Sequence, residues 1–401
     1  MIKSRQFEFL DMEEIFIQFL WRHQHPLVRE LRTATGHPIK VHFPGTWNNG
    51  SGPDFLNAKV EWNGMKWSGH IEFHMKAKDW LSHGHHLDAQ YNQVVLHIVL
   101  EGAPIRNAGI ETVFLPKSEI EILYKQWSSW RNVVRDLPCA PYYNEIREVV
   151  WFNWMTRMGV ERLEQRCSEY HLMTTDGEFK WSSILFQKWF RSFGKGNWGD
   201  VLEQTASELN AVEFLHLEFD SQKAILFEIF DYSNLLSKEL RHWAKRYVLL
   251  RKMTYQPDLK IKRKFGRGFN HDLLRFLTSL KYFWRVLNNI RDCATFQLEK
   301  EVPAFVYINA IAPIQFFIGW KADNEEQMNA AIELLEKLPQ EENARVKLFE
   351  KNGQRIKNAF QSQAAFHLFS VYCSRNQCLN CSIGAEILLK NESFRINQRC
   401  S

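Results

Sequence analysis

The sequence predicts an α+β protein: an N-terminal mixed α/β core of helix, hairpin and buried strand, then a mostly α-helical C-terminal region. Three observations carry this. From Pro38 to Glu101 the chain is a series of short apolar runs broken by Gly, Pro and Asn, the texture of strands and turns. After Leu137-Pro138-Cys139 the texture changes. Glu148–Tyr170 and Glu325–Leu338 repeat apolar residues at helical spacing. Few strand signals appear between Tyr142 and Ser401, and neither an internal repeat nor a flexible linker is evident. The expected domains are therefore residues 1–138 and 139–401.

Residues 7–24 carry apolar side chains at near-helical intervals and predict an amphipathic helix. Leu56–Trp62 and Lys66–Lys76 flank Asn63-Gly64, a dipeptide that closes tight hairpins because both residues tolerate positive φ. Val94–Gly102 is apolar enough for a strand buried on both faces, and Ile110–Leu115 suggests one more. Phe305–Trp320 is the most apolar long stretch. It contains Asn309, Pro313 and Gln315 and falls short of the ~20 residues that span a bilayer. It is expected to be buried core, with no membrane partner.

The chain has 401 residues, 45% hydrophobic and 24% charged, which excludes collagen, low-complexity disorder and a bare coiled coil. Lys and Arg number 51 against 46 Asp and Glu; a surplus of +5 is compatible with nucleic acid without arguing for it. The N-terminus has no uninterrupted apolar run of the signal-peptide kind. A cytoplasmic location is expected, where thiols stay reduced, so the seven cysteines read as buried residues, metal ligands or reactive groups before disulfides. The oligomeric state is not legible.

Three constellations carry chemistry. In the first, alternation along His70–Lys76 puts Ile71, Phe73 and Met75 on one face and His70, Glu72, His74 and Lys76 on the other. Asp54 stands at the start of the neighbouring strand, within reach of Glu72. Two carboxylates with a basic group nearby suit Mg²⁺ or Mn²⁺, which acidifies a water and neutralises charge on a phosphodiester. The competing reading is an ordinary solvated hairpin face. The second constellation is Asp79, His83, His85, His86, Asp88 and His97, all within twenty residues. Imidazole with carboxylate suits Zn²⁺, Mn²⁺ or Fe²⁺. His83, His85, His86 and Asp88 are candidates to converge on the Asp54–Glu72 metal, or else form a solvated turn. His97 reads as a hydrogen-bonded core histidine. The third is Cys373-x4-Cys378-x2-Cys381, a metal-site spacing that lacks a fourth ligand. Cys139 is the favoured fourth, among Cys167, Cys293, Cys400 and His367, and the group held is an iron–sulfur cluster or Zn²⁺. Lys262, Arg263, Lys264 and Arg267, around Phe265, form an acid-free run suited to a phosphate backbone, or a plain solvated loop.

Pro53-Asp54 followed by a hairpin and Glu72-Phe73-His74 resembles the PD-(D/E)xK nuclease superfamily, with His74 where that superfamily has Lys. The resemblance implies metal-dependent phosphodiester cleavage, with Lys76 or His74 in the lysine's role and Glu14 as the glutamate of the preceding helix. Some nucleases of that superfamily carry an iron–sulfur cluster on one early and three late cysteines, which implies the same use of Cys139 with Cys373, Cys378 and Cys381. Almost end to end, the chain also resembles a bacterial domain-of-unknown-function family, number 2851. The likeness runs through Glu14–Trp21, Gly52–Ala58, Trp67–His74, Asp79-Trp80, His83, His85-His86, Tyr91-Asn92, Val94–Val99 and Glu161–Glu164. It continues in Ile308-Asn309, Ala312-Pro313, Leu338-Pro339, Glu342-Asn343 and Tyr372–Gly384, and is loose over 180–300. That family implies no reaction. The leading expectation is a metal-dependent, nuclease-like protein acting on nucleic acid. The alternatives are a non-catalytic nucleic-acid-binding or assembly protein on a nuclease-like scaffold, and a Zn- or Mn-dependent hydrolase of another phosphoester.

Overall fold

The computed structural model describes residues 12–105, 109–131, 137–172, 181–194, 197–209, 211–218, 221–222, 275–291 and 298–390. The basic residues Lys262, Arg263, Lys264 and Arg267 lie outside these ranges. Two compact units are present: Met1–Trp151 with Val371–Ser401, and Phe152–Ser370. Composition alone divides the chain at 138/139. The compact units instead return the C-terminal cysteine segment to the sheet-bearing part, a long-range association that local texture cannot reveal.

The first unit is built on a mixed sheet. Its strands are β1 (Lys40–Phe43), β2 (Thr46–Trp47), β3 (Phe55–Trp62), β4 (Met65–Lys76), β5 (Val94–Glu101) and β6 (Glu111–Phe114). The order is β1-β3-β4-β5-β6, with β2 also paired to β3. The expected hairpin is β3–β4. Its turn residues Asn63 and Gly64 have φ of 49° and 74°, the pair of positive values that matches strand twist across a two-residue loop. The short strands β1 and β2 have no counterpart in the sequence reading. Helix α1 (Glu14–Arg22) buries Phe16, Ile17, Phe19, Leu20 and Trp21, with Trp21 edge-on to Phe73 of β4. Helix α3 (Lys117–Arg131) buries Ile120, Leu123, Tyr124 and Trp127, and its Tyr124 and Trp127 rings meet Phe16.

The pairing of β4 with β5 is parallel, as is that of β5 with β6. Parallel neighbours cannot be joined by a tight turn, so the connection must travel back over a face of the sheet. Here that crossover is helix α2 (Asp79–Ser82) and two 3₁₀ turns, His85–Leu87 and Ala89–Tyr91. The histidine-rich segment is thereby carried across the sheet. Gly69 lies where the strands come closest: a Cβ there would sit 2.5 Å from the Gln93 carbonyl oxygen and 2.5 Å from Val95 Cγ1. Gly69→Ala is expected to cost about 1–3 kcal/mol through this overpacking, read as a lower thermal midpoint. An unchanged midpoint would contradict the close approach.

The second unit is helical. Its core joins Trp189, Phe186, Phe190, Phe283, Tyr170, Tyr307 and Phe317 with many aliphatic neighbours. The apolar stretch expected as core is confirmed as such. It runs through Ala304–Val306, a π-helical turn Tyr307–Ile311 and a helix Ala312–Ala322 that accepts Pro313 in its first turn. Among the described residues no helix is long and apolar enough to cross a membrane.

Candidate metal centre

Glu72 and His74 of β4 are buried, 5% and 2% exposed, as are Ile71 and Phe73 between them. Both faces of the strand are covered at these four residues, against the competing reading of a solvated hairpin face. The crossover supplies the cover. Glu72 and Asp54 are locked reciprocally. The Asp54 N–H donates to Glu72 Oε2 at 3.0 Å, and Asp54 Oδ2 accepts from the Phe73 N–H at 2.9 Å. Glu72 Oε1 faces His85 Nε2 at 3.3 Å and His74 Nε2 at 3.8 Å. His74 also meets His97 (Nδ1 to Nε2, 2.8 Å) and His83 (Nε2 to Nδ1, 3.2 Å). Tyr91 stacks on the His85 ring with centroids 3.9 Å apart, and so fixes its plane. Trp80, edge-on to both His85 and Tyr91, walls the group.

The charges are set against their own ionised forms. Burial pushes Glu14 up to about 8, with help from Asp54 and Asp79, and its Oε1 is buried without a hydrogen-bond partner among the described residues. Burial likewise raises Glu72 to about 9, reinforced by Asp54 and Glu14 against the relief given by the Asp54 N–H. Asp54 is raised to about 6 by burial, opposed by the Phe73 N–H. His74 is lowered to about 3 by burial and by His97, His85 and His83, and His97 to about 4 by burial and His85. Carboxyls that resist ionising and imidazoles that resist protonation form one cluster. A divalent cation inverts that balance, because it stabilises carboxylates and takes neutral imidazole lone pairs. Donor nitrogens of His74, His83 and His85 all lie within 4.8 Å of one another. Three ligands at ~2.1 Å from one ion fit inside that span. A mixed nitrogen and oxygen donor set favours Mn²⁺, Zn²⁺ or Fe²⁺ over Mg²⁺.

Of the residues singled out in the sequence, the structure brings together Glu14, Asp54, Glu72, His74, His83 and His85. It leaves three aside. Lys76 has the right parity but lies beyond the covered part of β4, exposed and paired with Glu101 at 3.9 Å. His86 is exposed and takes no place in the cluster. Asp88 uses its carboxylate to cap the turn Ala89–Tyr91, accepting from the Gln90 N–H at 2.9 Å. Asp79, already a member of the second constellation, joins the surroundings with Trp80 and Tyr91, to which sequence reasoning gave no role. His97 is more than a core histidine, for it sits opposite Glu72 in the parallel register. A signal for it exists: if β4 and β5 are taken as parallel neighbours, their polar positions align. Cys139, Cys373, Cys378 and Cys381 all fall in the first unit and Cys167 in the second.

A family model described as "Protein of unknown function (DUF2851)" matches residues 14–268. The chain belongs to the DUF2851 family. The matched span of this DUF2851 protein begins at Glu14 and includes every residue of the candidate metal centre, but it stops short of the C-terminal cysteines. Searches of curated proteins and of solved structures returned no match.

Proposed function

We propose that this DUF2851 protein is a divalent-metal-dependent phosphodiesterase that acts on nucleic acid. The observation that supports this reading is the meeting of Glu14, Asp54 and the buried Glu72 with the buried His74, the half-buried His85 and the exposed His83. Carboxylates held in opposition by burial and mutual repulsion are costly unless a cation joins them. Asp54 and Glu72 hold the metal in this proposal, with Glu14 and the imidazoles completing its surroundings. When bound, the cation supplies Lewis acidity and an acidified water.

The protein's own groups then do the rest. The Phe73 N–H holds Asp54, and the Asp54 N–H holds Glu72, so both carboxylates are oriented before any ligand arrives. His74 stands where a nuclease of the resembling superfamily carries Lys. Held neutral, it offers a lone pair to the cation rather than a charge to the phosphate. His85 is half-buried, oriented by Tyr91 and adjacent to Glu72, which suits it to receive a proton from an attacking water. With Lys76 engaged at the strand end by Glu101, charge neutralisation at phosphate falls to the cation, so activity should depend strictly on metal.

The test is cleavage of end-labelled single- and double-stranded DNA and RNA by chelator-treated protein with Mn²⁺ or Mg²⁺ restored. Asp54→Asn keeps an acceptor for the Phe73 N–H and removes the charge. It should lower turnover by about 10²-fold or more, with unchanged circular dichroism. If wild type cleaves no nucleic acid with either metal, the catalytic reading fails. Salt-sensitive binding indifferent to Asp54→Asn would then favour the non-catalytic alternative.

A further inference from the structure

We propose that His74, His83 and His85 hold an ion of their own, of the Zn²⁺ type, beside the carboxylate-bound ion, with Glu72 shared between the two. This extends the reading of Asp54 and Glu72 given above and rests on it for the first ion alone. Glu72 turns its two oxygens to different neighbours. Oε2 accepts from the Asp54 N–H at 3.0 Å, while Oε1 lies 3.3 Å from His85 Nε2 and 3.8 Å from His74 Nε2. A carboxylate has lone pairs on both oxygens and can serve two cations at once. Asp54 and Glu14 have no place in the close group formed by the three imidazoles, whose donor nitrogens all lie within 4.8 Å of one another. One ion at ~2.1 Å from its ligands sets tetrahedral donors about 3.4 Å apart. The His74 Nε2 to His83 Nδ1 separation is already 3.2 Å.

The crossover brings these rings together. His74 comes from β4, and His83 and His85 come from the segment that covers it. The His83 N–H closes the short helix α2 on the Asp79 carbonyl at 2.9 Å. Gly84 then takes φ of 75°, a left-handed turn that a side chain resists, and His85 begins the next 3₁₀ turn. His74 Nδ1 is engaged by His97 Nε2 at 2.8 Å, which leaves Nε2 as the nitrogen turned to His83 and Glu72. Such a contact on the far nitrogen is what orients metal-binding imidazoles. The Tyr91 ring, stacked on His85, does the same for that residue. His83 is exposed and His85 half-buried, so an ion reaches the group from solvent without unfolding the sheet.

The donors sort the metals. Three imidazoles with one carboxylate oxygen suit Zn²⁺, whereas an ion between Asp54 and Glu72 meets oxygen and suits Mn²⁺ or Mg²⁺. The imidazole-bound ion also has a task that the side chains leave open. Lys76 is exposed and its charge faces Glu101 at 3.9 Å, so it brings none to Glu72. An ion on the three imidazoles fixes positive charge beside Glu72, at the strand position that presents His74. Two cations sharing a carboxylate can then clamp the attacking and leaving oxygens of a phosphodiester between them.

The experiment is metal counting by equilibrium dialysis of the full chain, stripped with chelator and then given one equivalent of Zn²⁺ and an excess of Mn²⁺. Wild type is expected to hold one Zn²⁺ and one Mn²⁺ per chain. His83→Ala, at an exposed position, should weaken Zn²⁺ binding by about tenfold or more and keep Mn²⁺. Asp54→Asn should do the reverse. His86→Ala, at an exposed histidine outside the group, should change neither. A single ion per chain in wild type, of either metal, would overturn the proposal even if nucleic acid is cleaved. So would full Zn²⁺ affinity in His83→Ala, or an equal loss in His86→Ala. Two ions bound in this pattern without cleavage would instead sink the catalytic reading and leave the second ion standing.

Discussion

Replacing Glu72 with Gln is expected to end metal-dependent cleavage and, at the same time, to raise the thermal midpoint of the metal-free protein near pH 8. The two effects share one cause. Glu72 is held at about 9 in the folded protein by burial and by Asp54 and Glu14, far above its ordinary value of 4.5. A carboxyl whose folded value is raised carries no penalty below its unfolded value. It loses stability progressively as pH climbs toward the folded one. Wild type and Glu72→Gln should therefore melt alike near pH 5 and diverge near pH 8, with the variant higher by several degrees. Units of this size shift by ~2–4 °C per kcal/mol. Gln retains an acceptor for the Asp54 N–H, so the hairpin keeps its lock. What it lacks is charge for a cation, and the midpoint rise that Mn²⁺ gives wild type should vanish with it. A variant that still gains stability from Mn²⁺ would remove Glu72 from the ligand set. On the proposed reading, such a site gives up stability for function.

The apparent affinity for Mn²⁺ should tighten as pH rises from about 6.5 to about 8.5, by about tenfold per unit for each proton displaced. The sign follows from the carboxyls. Glu14 at about 8 and Glu72 at about 9 hold protons at neutral pH, and a cation must expel them. His74 at about 3 and His97 at about 4 are already neutral throughout that window and contribute none. Calorimetric titration in two buffers of different ionisation enthalpy would count the protons released. An affinity flat across this range, with no proton release, would mean the carboxyls are not ligands.

The hairpin was legible because Asn63-Gly64 has a single geometric use and because alternation on β4 is strict. Alternation also put Glu72 and His74 on one face correctly. What it cannot report is whether that face meets water, because burial depends on the layer above. The layer here is a crossover forced by parallel pairing, and pairing direction is a property of two strands, not of either one. Lys76 fails for the converse reason: parity continues to the end of the strand while the covering layer does not. That Cys139 and the late cysteines belong to one compact unit likewise needed the fold. The spacing within Cys373–Cys381 is local and readable, whereas the return of that segment to the first unit is not. Glu14 entered only through a resemblance, since a single acid at the head of an amphipathic helix is otherwise an ordinary favourable charge on the helix dipole.

The contact between His74 and His97 has a consequence for where protons reside. Only one hydrogen can lie between His74 Nδ1 and His97 Nε2, and each neutral ring carries one in all. If His97 donates, His74 must carry its hydrogen on the far nitrogen, and that nitrogen is then closed to a cation. If His74 donates, its Nε2 is open, and the His97 hydrogen moves to Nδ1, a buried atom without a hydrogen-bond partner among the described residues. Metal capture by His74 therefore requires the second arrangement, which leaves one unpaired donor in the core. The ¹⁵N shifts of these two imidazoles, recorded with and without Mg²⁺ or Zn²⁺, would register occupancy at a position that no ligand touches.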